Sequence, residues 1–196
     1  MTIQLSFSTL NQWQQVAYSA AIIERMLPNY KLFAEAVEFG DVKLLRNQLD
    51  LVWQWLDKNN RCKINYEAQL SKLELHIPNP EEFDSFGVFP ALDVCMAIVS
   101  LFQIMQDKDS DGCLSVSRLS ENSVSYYVEL ILAQEKTDES DISQEEIAIH
   151  PLMKWELETQ VELYDFIKLA PENKNSCIYA KSLVLEEGLS NLGIEI

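Results

Sequence analysis

Apolar residues recur along most of this chain at three- and four-residue intervals, the spacing that gathers them on one face of an α-helix. Trp13, Val16, Ala20, Ile23 and Leu27 follow that spacing behind Thr9, an N-cap candidate, and predict a first helix running to Leu27. Pro28 is expected to end it, leaving a short helix over 29–39 that Gly40 stops. Asp41 then caps a helix to about Lys58, with Leu45, Leu49, Val52 and Leu56 inward. Asn65 caps the next, whose stripe is Tyr66, Leu70, Leu73 and Ile77, and Pro78-Asn-Pro80 closes it. Val88 to Met105 is the most apolar run. Pro90 sits where a first helical turn tolerates it, Asp93 interrupts the run, and its length is short for a membrane span. It is expected to be the central buried helix.

Beyond the loop at 107–112, a helix from Ser115 or Ser117 to Lys136 turns Val124, Val128 and Ile131 inward. Ser143 with Glu146 three residues on forms a capping box, and Pro151 breaks the helix that it starts. The continuation to about Ala170 carries Met153, Leu157, Val161, Tyr164 and Ile167 on its inward face. A last helix spans Lys174 to Glu187, Gly188 stops it, and the apolar tail Leu189 to Ile196 is expected to dock on the body. No segment alternates as a strand does, and there is no repeat or linker. The expected fold is all-α: a single-domain antiparallel (up-and-down) helical bundle over residues 1–196.

Composition agrees with this. Five glycines and six prolines are too few for a sandwich or barrel that turns every 8–12 residues. The 31 acidic against 15 basic residues give a formal net charge of −16, which repels phosphate backbones and anionic bilayers alike. No basic run offsets it, so neither nucleic acid nor membrane is an expected partner. The acidity suits solubility, or an acidic face for a basic partner. Cys62, Cys95, Cys113 and Cys177 form no C-x-x-C pair and read as reduced thiols. With a first segment lacking the basic start and apolar run of a signal peptide, they point to the cytoplasm.

One segment looks like a metal loop. Asp107, Asp109 and Asp111 alternate ahead of Gly112, as at positions 1, 3, 5 and 6 of an EF-hand. Position 12, which needs a bidentate glutamate, is Arg118, and Glu121 lies three residues too far. The competing reading is an Asp- and Gly-rich helix–helix turn, so calcium binding there is at best weak and no cofactor is expected. His76, near a helix C-terminus, suits the helix dipole better than a metal. His150 belongs to no Glu-x-x-His pair, so a di-iron bundle is not indicated. Asp93 is expected to cap or accept backbone N–H groups near its helix start, with Arg25 as a candidate buried ion-pair partner. No nucleophile elbow, P-loop or dinucleotide fingerprint is present. Trp53 and Trp55 cannot share one helix face, which leaves one of them a candidate contact residue.

Glu24-Arg25-Met26-Leu27-Pro28-Asn29-Tyr30, Phe39-Gly40-Asp41, Phe83 to Cys95 and Ser190-Asn191-Leu192-Gly193-Ile194 together resemble the YjaG-like family of bacterial proteins, a domain of unknown function. The resemblance covers the whole chain and implies an all-helical fold in a bacterial cytosol; it implies no reaction. The acidic turn at 107–112 is not a motif of that family. The expected role is therefore non-catalytic, exerted through protein contacts, with a homodimer as one form of them. The alternatives are a small-ligand or enzymatic site built from Arg25, Tyr30, Asp84 and Asp93, and calcium at Asp107, Asp109 and Asp111.

Overall fold

A computed structural model describes residues 5–59, 62–107, 111–136 and 141–196. The described residues form eight α-helices: α1 Gln12–Val37, α2 Val42–Leu56, α3 Tyr66–Glu74, α4 Val88–Met105, α5 Gly112–Glu135, α6 Gln144–Ile149, α7 Pro151–Leu169 and α8 Lys174–Val184. The all-α expectation holds. One boundary does not, because α1 runs straight through Pro28. From Val16 to Leu27 every residue is buried, and α2, α4, α5, α7 and α8 all pack on this helix. Packing on so many sides outweighs the roughly 3 kcal/mol that an interior proline costs. α1, not α4, is thus the central helix.

Caps set most of the other ends. Asn11, rather than Thr9, begins α1: its side chain accepts from Gln14 N while its backbone N–H donates to Gln14 Oε1. Asp41, Asn65, Ser143 and Asn173 cap α2, α3, α6 and α8 through bonds of 3.0–3.2 Å from the third residue onward. His150 caps α7 by accepting from Leu152 N through Nδ1 at 3.2 Å. It therefore serves the backbone.

Between α1 and α2 the chain reverses at Gly40, whose φ is +83°. A Cβ there would lie 2.1 Å from the Tyr30 hydroxyl, which donates to His76 O at 2.9 Å. Gly188 is also left-handed (φ +64°) but faces open space. Gly188→Ala is expected to cost about 1 kcal/mol from backbone strain alone. Gly40→Ala should cost roughly 1–3 kcal/mol more, since it also displaces Tyr30; paired urea denaturation curves check the difference.

One described helix, α4, is long and apolar enough to cross a membrane, and 61% of it is buried inside the fold. The segment 189–196 docks as expected: Leu189 bridges Glu195, and Ser190, Asn191 and Leu192 are buried.

Candidate functional site

A polar seam runs through the middle of this otherwise apolar core. On α1, Tyr18, Arg25 and Asn29 lie seven and four residues apart and share a face. Opposite them are Ser117, Ser120 and Ser123 on α5, Glu156 and Gln160 on α7, and Asn191 of the docked tail, all buried. Arg25 Nη1 pairs with Glu156 Oε2, and its guanidinium lies 3.9 Å from the centre of the Trp155 ring. Burial lowers the Arg25 pKa and Glu156 opposes that. The other Glu156 oxygen accepts from Ser120 Oγ at 2.5 Å and Gln160 Nε2 at 2.7 Å. Gln160 Oε1 in turn accepts from Ser117 Oγ at 2.6 Å and Tyr18 at 2.8 Å. Asn191 closes the other end: it donates to Ser120 Oγ at 3.1 Å, accepts from Asn29 Nδ2 at 2.7 Å, and reaches Arg25 O through its backbone N–H at 3.3 Å.

Sequence reasoning anticipated Arg25 but assigned it to the wrong acid. Asp93 is the sixth residue of α4, beyond capping range, and accepts from Ser123 Oγ at 2.7 Å. Burial, only partly opposed by that bond, pushes its carboxyl up to about 6. The spacing of apolar residues on α7 points to Leu157 and Val161 as its inward line, which leaves Glu156 facing out. They are half-buried, whereas Met153, Glu156, Gln160, Leu163 and Ile167 face in. The signal was available, since Glu156 and Gln160 fall three and seven residues after Met153.

The four residues proposed as a ligand site are not drawn together around a cavity. Tyr30 is spent on His76 O and Asp41 N, Asp84 is exposed, and none of Arg25, Tyr30, Asp84 and Asp93 lines any of the four main clefts. In the acidic turn, Asp107 takes a left-handed conformation and accepts from Gln12 Nε2 at 3.2 Å, while Asp111 stands at the N-cap position of α5, where its backbone oxygen accepts from Ser115 N at 2.9 Å. Asp109 lies outside the described residues. Among the described residues no group of three His, Cys, Asp or Glu could hold a metal ion. Trp53 and Trp55 are both half-buried, so neither is the exposed contact that their spacing suggested. Trp53 Nε1 donates to Glu24 at 2.6 Å.

Two surfaces remain open. Glu24 faces the opposite way from Arg25 and holds a cationic cluster together, with Arg46 at 2.6 and 2.8 Å and Lys181 at 2.9 Å. Burial raises its pKa, but Arg46 and then Lys181 outweigh that and leave it lowered. Beside this cluster lies a cleft of about 580 Å³ between α1, α2 and the docked tail. The second surface is aromatic. Phe89, Met96 and Tyr126 are 44%, 39% and 49% exposed. Phe89 stands 6.2 Å from Tyr126 and 6.4 Å from Phe86, beside a groove that Leu130 and Ala133 of α5 complete.

A family model described as "Protein of unknown function (DUF416)" matches residues 2–195. The uncharacterized protein YjaG of Escherichia coli (strain K12) is 33% identical over 194 residues, covering 98% of this chain and 95% of that protein. An uncharacterized protein of Haemophilus influenzae is 34% identical over 196 residues, covering 98% of this chain and 96% of that protein. The crystal structure of a DUF416 family protein from Shewanella baltica OS155 matches with a TM-score of 0.85 at 31% identity, over 99% of this chain and 100% of that one.

Proposed function

This chain belongs to the DUF416 family, proteins of unknown function that include the YjaG relatives, and for it we propose a non-catalytic role exerted through self-association across the outer face of α4 and α5. The observation that carries the reading is an outer face of α4 without an exposed charge, bordered in its groove by a single acid of α5, Glu129, on a chain of net charge −16. The one ionisable carboxylate of α4, Asp93, is buried, and its exposed side presents Phe89 and Met96. Phe89, Leu92 and Met96 lie three and four residues apart, so one stripe serves the whole face. Two acidic copies repel wherever their charged faces meet. An isologous contact that buries this stripe on both sides keeps those charges apart, and exposed aromatics are the side chains that anchor such contacts. The polar seam supports the non-catalytic part: its groups hydrogen-bond chiefly to one another and lie outside the main clefts.

The wild-type protein is expected to sediment at twice 22.5 kDa at micromolar concentration, and more tightly as salt rises, because screening relieves the repulsion. Phe89→Glu should sediment as a monomer with wild-type helical content, its melting temperature lowered only by the loss of association and no longer dependent on protein concentration. A monomeric wild type, or a Phe89→Glu variant that still pairs, would overturn the assignment.

A further inference from the structure

We propose, resting on the self-association across α4 and α5, that a proton on Asp93 of each copy closes this contact and that its loss opens it. Asp93 stands at the edge of the surface concerned. It follows Phe89 by four residues and precedes Met96 by three, so all three lie along one side of α4. Its other neighbours at that spacing, Pro90 and Ala97, are buried, whereas Phe89 and Met96 are exposed. The exposure that Asp93 keeps, 9%, therefore opens toward Phe89 and Met96. Ser123 Oγ of α5 donates to it at 2.7 Å, and one turn on from each of these residues the rings of Phe89 and Tyr126 lie 6.2 Å apart. A second copy seated on Phe89, Met96 and Tyr126 covers that opening and takes the carboxyl out of water.

No cation holds this carboxyl in its ionised form. α1 lies antiparallel to α4, with Gln12 Nε2 bonded to Ile104 O at 3.1 Å and Phe33 beside Gly87, so the charged residues it brings level with Asp93 are Glu24 and Arg25. Arg25 is spent on Glu156, and Glu24 on Arg46 and Lys181. His76, after α3, meets α4 through its backbone oxygen at Cys95. Glu81 and Glu82, in the turn before α4, are exposed. On α5, Arg118, Glu121, Tyr126, Tyr127 and Glu129 lie within two turns of Ser123, and Glu129 faces the groove. None of these groups moves the Asp93 carboxyl, which burial pushes up to about 6 against the Ser123 bond. Completing the burial disfavours the ionised form further. The paired state then holds the proton more tightly than the free one, so pairing takes protons up. It is strongest below about 6 and weakens as pH rises through and beyond that value. An isologous contact carries two such carboxyls, and the effect enters twice.

Sedimentation equilibrium in about 0.5 M sodium chloride, where the general repulsion between acidic copies is screened, isolates the contribution of Asp93. From about pH 5.5 to about pH 8 the wild-type dissociation constant is expected to rise at least tenfold, roughly the effect of one pH unit on one carboxyl. Asp93→Asn should pair at the upper pH as tightly as wild type at the lower, with little change between them. Ser123→Ala removes the bond that favours the ionised form and should keep the pair together to higher pH than wild type. Circular dichroism checks that both variants retain the helical fold. A wild type that pairs equally at both pH values overturns the role of the proton and leaves the self-association standing. So does an Asp93→Asn variant that keeps the wild-type pH dependence, or one that pairs more weakly than wild type at the lower pH. Wild type and Asp93→Asn both monomeric at every pH would remove the self-association, and the proton's role with it.

Discussion

Glu156→Ala is expected to destabilise the fold by about 3–5 kcal/mol, read as a fall in urea midpoint at constant slope. The loss exceeds that of an ordinary core truncation because it leaves a charge behind. Arg25 stays fully buried with Nη1 stripped of its carboxylate, and its Nε and Nη2 already have no hydrogen-bond partner among the described residues. The face of Trp155 then becomes the main compensation for a desolvated cation. Ser120 Oγ and one bond of Gln160 Nε2 lose their acceptor as well. Removing both charges should be gentler. Arg25→Met/Glu156→Leu is expected to recover most of the loss, since a buried pair replaced by apolar groups of similar volume is often neutral or better. A single variant costing under about 1 kcal/mol would show that the pair is not isolated from water as the structure places it.

Asp93→Asn should act in the opposite direction and depend on pH. The Asp93 carboxyl titrates near 6 in the folded chain against an ordinary 3.8. Between those values the native state binds more protons than the unfolded one, so stability falls as pH rises through the window. A shift of that size corresponds to about 3 kcal/mol lost by neutral pH, on an order-of-magnitude scale. Asparagine keeps an oxygen for Ser123 Oγ and carries no charge. At pH 8 the variant should be more stable than wild type by roughly 1–3 kcal/mol, and near pH 3.5 the two should converge. Glu121, also raised by burial and then by Glu156, contributes in the same sense and remains in both proteins. Equal stabilities at pH 8 would mean that Asp93 is better solvated than its surroundings imply.

The helices were legible because their signals are local. The stripe of α2 (Leu45, Leu49, Val52, Leu56) is buried to the last residue, and the Ser143–Glu146 capping box forms as the spacing predicts. Pro28 misled for the complementary reason: its local preference is to end a helix, and only contacts with five other helices reverse that. The seam was half-legible. Arg25 stands out as a lone cation in an apolar stretch, but its partner lies 131 residues away on a helix whose apolar stripe admits two registers. The choice between Leu157 and Glu156 as the inward residue depends on what α1 and α5 present, which no window of α7 contains. The cleft was invisible for the same reason, since its walls come from three separated segments.

The hydrogen bond between Asn29 and Asn191 spans 162 residues of chain. At ribosomal rates of about 5–20 residues per second, that separation corresponds to roughly 8–30 s of synthesis. Throughout that interval the first long helix to emerge is one that in the finished fold is buried on every side from Val16 to Leu27, and the segment that completes its surroundings does not yet exist. Such a nascent chain is a natural client for chaperones that hold apolar segments, and its locking step waits until Asn191 has been made and released from the ribosome.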